Sequence, residues 1–221
     1  MTQPDPEPLH QRAYDRLKRA LMTGVYKPGQ RITIRASATA LGMSMTPVRE
    51  ALRRLVAEGA LETLPNQSVR IPAPSIGRLR QLARARMVLE GLAAEIASAS
   101  DQRGALADHL EQIQMELAAA RDRRDFPFYV ATNERFHFAL YRGAEDPVLL
   151  QLIESLWLQA GPLLTELQPS MRGIDLHAIA IDAVRNGNGE AARTAVAEDI
   201  RRVAELLESF VSEGLASQPV P

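Results

Sequence analysis

Arg49 and Arg53 lie four residues apart in the run Ser44-Met45-Thr46-Pro47-Val48-Arg49-Glu50-Ala51-Leu52-Arg53. If that run is helical, Val48, Leu52, Leu55 and Val56 share one face, and the two arginines with Glu50 share the other. A major groove admits one such helix, and an arginine there can pair bidentately with guanine O6 and N7. Arg35 is placed to reach a phosphate or a base edge, and Arg70 to touch the sugar-phosphate backbone. A second constellation stands further along the chain. Asn133 and His137 are spaced i,i+4, so they share a helix face, and His177 precedes Asp199 by 22 residues. Antiparallel helices can bring these four together, although the same spacing also serves an ordinary packed histidine. His109 sits in a polar stretch and reads as a surface residue.

These residues need elements to hold them. Leu9 to Met22 has apolar residues at helical spacing and stops at Gly24, and Ile34 to Leu41 repeats the pattern and stops at Gly42. Thr46 before Pro47 predicts an N-cap followed by proline at the first helical position. That third helix runs to about Glu58 and ends at Gly59. Leu61 to Leu64 and Val69 to Ile71 flank Pro65-Asn66-Gln67-Ser68, which predicts a hairpin. Three helices plus a β-hairpin, with a tight glycine turn between the second and third helices, describe a winged helix-turn-helix.

Pro72 and Pro74 cannot continue a helix or a central strand. Residues 72–75 therefore read as a short, stiff linker between a winged helix-turn-helix domain (1–71) and a second domain (76–221). The second domain reads as helical throughout, near 75–100, 104–122, 126–145, 147–166, 170–187 and 189–214. The predicted fold class is thus mainly α, a winged helix-turn-helix followed by an antiparallel six-helix bundle. The tail after Phe210 is expected to fray.

Composition agrees with that division. Residues 1–74 hold 11 Lys/Arg against 6 Asp/Glu, and the rest holds 15 against 21, although the whole chain is close to neutral at −1. A basic front and an acidic back imply that only the front meets a polyanion. There is no cysteine, which excludes disulfides and thiolate metal sites and fits a reducing cytoplasm. No apolar run approaches the roughly 18 residues of a membrane span, and Met1 to Pro8 is polar and unlike a signal peptide.

The run Gly24-Val25-Tyr26-Lys27-Pro28-Gly29-Gln30-Arg31-Ile32, together with Ser44 to Leu52, Leu55 and Glu58-Gly59, resembles the signature of GntR-family bacterial regulators. The segments Arg86-Met87-Val88-Leu89-Glu90-Gly91 and Asn133 to Leu140, and the stretch from His177 to Asp199, resemble a FadR-type (FCD) ligand-binding domain, with the six helices of its VanR-like branch. The resemblance implies that Arg35, Met45, Arg49 and the hairpin tip at Gln67 handle double-stranded operator DNA, and Thr46, Arg53 and Arg70 complete the candidate DNA-binding set. It also implies a homodimer, a small-molecule effector such as an organic acid, and repression more often than activation. Three positions depart from the pattern. Met45 stands where arginine is usual, Ser37 where leucine is usual, and Gln67-Ser68 where a basic residue and glycine are usual.

Many such domains hold a divalent metal with one aspartate and three histidines. Here those positions are Asn133, His137, His177 and Asp199, so the carboxylate has moved to another helix. Two imidazoles, a carboxylate and an amide suit zinc, nickel or manganese, with the amide the poorest ligand. The expectation is either weakened metal binding or a site where an effector meets these side chains directly. Arg86, with His137 and His177, is a candidate effector contact; its alternative partner is Glu90, one turn on. Tyr141, Arg142 and Trp157 read as packing or surface residues. No nucleophile constellation or general base at motif spacing is present, so the chain is read as a regulator. A direct metal sensor and a metal-dependent enzyme are the alternatives.

Overall fold

The computed structural model describes residues 8–65, 68–164 and 174–216. Helix α1 (Leu9–Met22) buries Ala13, Tyr14, Leu17, Leu21 and Met22 along one side. Helix α2 (Ile34–Leu41) is capped by Thr33, whose hydroxyl accepts from the Ala36 N–H, and it ends on Gly42 at φ 64°. That left-handed conformation is one that glycine adopts without strain, and it turns the chain sharply into α3.

Helix α3 (Met45–Ala57) starts earlier than the sequence predicts: Ser44 is the N-cap and makes no side-chain capping bond, while Thr46 is already helical. Pro47 is consequently the third helical residue rather than the first. The N–H groups of that first turn have no partner within the helix, so proline sacrifices nothing there.

The expected hairpin is present as β2 (Glu62–Thr63) and β3 (Val69–Arg70). A further strand, β1 (Arg31–Ile32), was not anticipated from the sequence. It pairs antiparallel with β3, giving the order β1-β3-β2 with Ile32 opposite Val69. A strand of two residues shows no alternation that a sequence reading could detect.

Ser75 caps α4 (Ile76–Ala99) by accepting from the Arg78 N–H. Five more helices follow: α5 (Arg103–Asp122), α6 (Phe126–Arg142), α7 (Pro147–Leu164), α8 (Ile174–Arg185) and α9 (Gly189–Ala216). Helix α9 continues through the first part of the expected frayed tail, to Ala216, while 217–221 lie outside the described residues. Val211 is buried with Leu79, Leu163 and Leu207, and this apolar anchor holds the last turns in place. The first residues of the predicted helix 170–187 lie outside the described residues. Helices α4 and α9 approach closely because small residues line the seam: a Cβ on Gly91 would stand 3.0 Å from the Arg193 side chain.

The two halves share one continuous apolar cluster, reaching from Leu17, Leu21 and Leu55 to Phe136, Ile153 and Trp157. Helix α1 lies against α7, where Lys18 Nζ meets Glu154 Oε2 at 2.5 Å. Arg78 donates to the Gly59 carbonyl at 3.0 Å and to Gln159 at 2.8 Å. No helix among the described residues is long and apolar enough to cross a membrane.

Candidate functional site

Two groups of residues carry chemistry, one on the surface of α2 and α3 and one inside the bundle. On α3, Met45, Arg49 and Arg53 follow one another at i,i+4 and form one exposed stripe, with Thr46 beside it. Arg35 is exposed near the start of α2. The guanidinium groups of these three arginines make no hydrogen bond or ion pair with another described residue, so their donors are free for a partner. Arg54 is different. It pairs with Glu58 and lies 3.6 Å over the Tyr14 ring, so it is tied into the fold.

The wing is less available than its sequence implied. Arg70 is exposed but ion-paired with Glu62 across the hairpin. Ser68 is buried and accepts from Arg31 Nε at 2.9 Å, a structural bond rather than a free surface donor. Gln67 lies outside the described residues.

Inside the bundle, α6, α8 and α9 bring His137, His177 and Asp199 together, all three buried. One ligand atom from each lies within 4.8 Å of the others. Asp199 Oδ2 is 3.5 Å from His137 Nε2 and 3.9 Å from His177 Nε2. Asn133 stands one turn before His137 on α6, half-buried, its side-chain amide without a hydrogen bond to any described residue. The four expected residues thus reduce to a tight group of three with the amide beside it.

Burial pushes the His177 imidazole down to about 3, so it is neutral near pH 7. Its Nε2 is buried with no hydrogen-bond partner. Burial raises the Asp199 carboxyl, but His137, His177 and Arg86 beside it outweigh that and leave it lowered overall. With His177 neutral, the Asp199 carboxylate faces a buried ring nitrogen without a hydrogen-bond partner, a place where a cation would be favourable.

Residues read as packing from the sequence surround this group. Tyr141 Oη lies 3.0 Å from His137 Nδ1 and donates to Glu90 Oε2 at 2.5 Å. Burial, then the adjacent Glu90 carboxylate, holds the Tyr141 hydroxyl well above its ordinary range. Arg86 grips Glu90 through Nε at 2.6 Å and Nη2 at 3.2 Å, and lies 4.7 Å over Trp157. Of its two expected partners, then, Arg86 has Glu90. Trp157 packs 5.3 Å from His137 with its Nε1 buried and unbonded. On the other side, Phe136 stacks on His177 at 4.0 Å, and Gln114 Oε1 lies 3.2 Å from His177 Nδ1. The i,i+4 spacing of His137 and Tyr141 was visible in the sequence. The reach of Gln114 across 63 residues was not.

Comparison with known proteins matches residues 9–71 to the bacterial regulatory proteins of the gntR family and residues 81–202 to the FCD domain. The chain belongs to the GntR family and carries an FCD domain. The HTH-type transcriptional regulator McbR of Escherichia coli is 32% identical over 197 residues, covering 86% of this chain and 89% of McbR. A probable D-xylose utilization operon transcriptional repressor of Paenarthrobacter nicotinovorans is 30% identical, over 74% of this chain and 73% of its own length. The solved structure of E. coli McbR/YncC superposes with a TM-score of 0.84 over 92% of this chain and 99% of that one, at 29% identity. A putative GntR regulator from Rhodococcus sp. RHA1 shares the fold at a TM-score of 0.72 and 19% identity, over 95% and 99% of the two chains. The GntR/FCD chain is therefore a transcription regulator, and these families and relatives are DNA-binding regulators rather than enzymes.

Proposed function

We propose that this regulator is a homodimeric repressor whose grip on a pseudo-palindromic operator is set by a small organic acid bound in the bundle beside a divalent metal. In this proposal residues 1–71 read DNA, 72–75 link, and 76–221 dimerise and bind the effector. A regulator of this kind works beside the chromosome, in the cytoplasm. Arg49 and Arg53 would read base edges, Arg35 a phosphate, and Met45 a thymine methyl in place of the usual arginine contact. Gln67 and Arg70 would approach the backbone, Arg70 after exchanging Glu62 for phosphate.

The observation that carries the effector side is the convergence of His137, His177 and Asp199 around the unpartnered His177 nitrogen. The donor set fits a divalent ion: two imidazole nitrogens and a carboxylate suit zinc, nickel or manganese. His137, His177 and Asp199 would hold it, with Asn133 as a weaker fourth donor. When bound, the ion supplies positive charge that attracts a carboxylate. Arg86, His137 and His177 shape the surroundings, and Trp157 and Phe136 exclude water. An effector that prefers one arrangement of the dimer shifts the operator affinity by that preference and no more.

Calorimetric titration of metal-stripped protein with zinc, then with small hydroxy- and dicarboxylic acids, tests this reading. One zinc per chain is expected, with acid binding only to the loaded protein and both lost in Asp199→Ala. Absence of zinc binding would refute the metal, and absence of acid binding by the loaded protein would refute the effector class.

A further inference from the structure

This inference rests on reading His137, His177 and Asp199 as a cation site. We propose that Tyr141, backed by Glu90, and Gln114 are positioning residues that hold both imidazoles in the Nδ1–H tautomer, so that both Nε2 lone pairs face Asp199.

The Tyr141 hydroxyl has one proton and two polar neighbours, Glu90 Oε2 at 2.5 Å and His137 Nδ1 at 3.0 Å. The Arg86 guanidinium grips both Glu90 oxygens, so Glu90 is the charge-assisted acceptor that takes the tyrosine proton. Tyr141 Oη is then left to accept, and only an Nδ1–H on His137 can donate to it. A neutral imidazole carries one ring proton, so His137 Nε2 is bare. That is the nitrogen 3.5 Å from Asp199 Oδ2.

The His177 ring is constrained in the same way by Gln114. Gln114 Nε2 donates to the Ile174 carbonyl at 2.6 Å. The flipped amide would set two carbonyl oxygens against each other at that distance, so the orientation is fixed. Gln114 Oε1 therefore faces His177 Nδ1 at 3.2 Å and can only accept. His177 carries its proton on Nδ1, and its Nε2 is the buried nitrogen without a partner. Phe136, stacked on the His177 ring with 10° between planes, prevents it from swinging away.

The alternative tautomers would each place an Nε2–H against Asp199. They would relieve the cluster without a cation, at the expense of the Tyr141 and Gln114 contacts. These outer residues thus preserve a cation-deficient centre inside the bundle. Partners of this kind typically contribute roughly 10–100-fold to metal affinity.

The test uses the full chain, uniformly ¹⁵N-labelled, stripped of metal and held above the ordinary imidazole range so that both rings are neutral. Two-bond ¹H–¹⁵N correlations report which nitrogen of each ring bears hydrogen. Both His137 and His177 are expected as Nδ1–H. Tyr141→Phe should move His137 to Nε2–H and leave His177 unchanged, while Gln114→Leu should do the reverse. Zinc affinity, read by chelator competition, should fall roughly 10–100-fold in each variant. A wild-type ring found as Nε2–H, or a tautomer indifferent to its own partner's removal, overturns the proposal. If either variant fails to fold, the wild-type spectrum and the other variant still decide it. Nδ1–H tautomers in a protein that binds no zinc would sustain this inference and sink the metal reading instead.

Discussion

Gly161→Ala should loosen the DNA-reading half from the bundle. A Cβ on Gly161 would stand 2.3 Å from the Leu21 carbonyl oxygen, 2.7 Å from Met22 Cα and 2.9 Å from the Met22 oxygen. All three are backbone atoms at the end of α1, so no side chain can swing aside. Ordinary contact begins near 3.4 Å, and α1 must therefore recede from α7 by about 1 Å. Overpacking of this kind costs about 1–3 kcal/mol. For a chain of this size that lowers Tm by about 2–12 °C. Calorimetry measures the loss, and limited proteolysis across Pro72–Ser75 reports whether the two halves separate. Gly104→Ala is the control. Nothing lies within 4 Å of its added Cβ, and it should gain about 0.4–1 kcal/mol through the unfolded chain. Trp157, which packs on His137, lies one turn before Gly161 on α7, so the variant should also blunt any effect of bundle ligands on DNA binding. A Gly161→Ala protein with wild-type melting and proteolysis would refute this close approach.

Other perturbations test the remaining parts. Glu90→Leu strands the buried Arg86 charge and should cost about 3–5 kcal/mol in urea unfolding, much of it recovered in the double variant with Arg86→Met; equal stabilities would contradict the ion-pair role. Arg49→Ala should abolish discrimination between operator and scrambled duplex, whereas Arg35→Ala should weaken both about equally and reduce the salt slope. Zinc at 100 times its Kd should stabilise by about 2.7 kcal/mol, visible as a higher Tm that a chelator reverses. His177 titrates near 3 when folded and about 6.5 when unfolded, so below about 6.5 the unfolded chain binds more protons. Stability of the metal-free protein should accordingly fall as pH drops from about 6.5 toward 3, less steeply in His177→Asn.

Much of this architecture is written in local signals. Gly24, Gly42 and Gly59 all adopt positive φ where the sequence predicts helix stops. Asp125 and Asp146 both cap the helices that follow them, accepting from Phe128 and Leu149. The metal candidates were legible because His137 and Asn133 share a helix face and the family pattern supplied the other two. What escaped reading is set by tertiary packing. Strand β1 exists only because β3 lies beside it. Val211 orders the C-terminal turns only because Leu79 and Leu163 meet it. Tyr141 reads as packing in the sequence because its acceptor, Glu90, reaches it from another helix, α4, 51 residues away. Ser68 reads as part of the wing's turn, yet Arg31 draws it inward.

The most direct test is the affinity of the zinc-loaded protein for duplex DNA from beside its own gene, measured by fluorescence anisotropy with and without small carboxylic acids. Sequence-selective binding, changed about 5-fold or more by at least one acid, is the expected result. Binding that follows salt alone, shows no preference over scrambled DNA and ignores every acid would contradict a ligand-controlled operator reader.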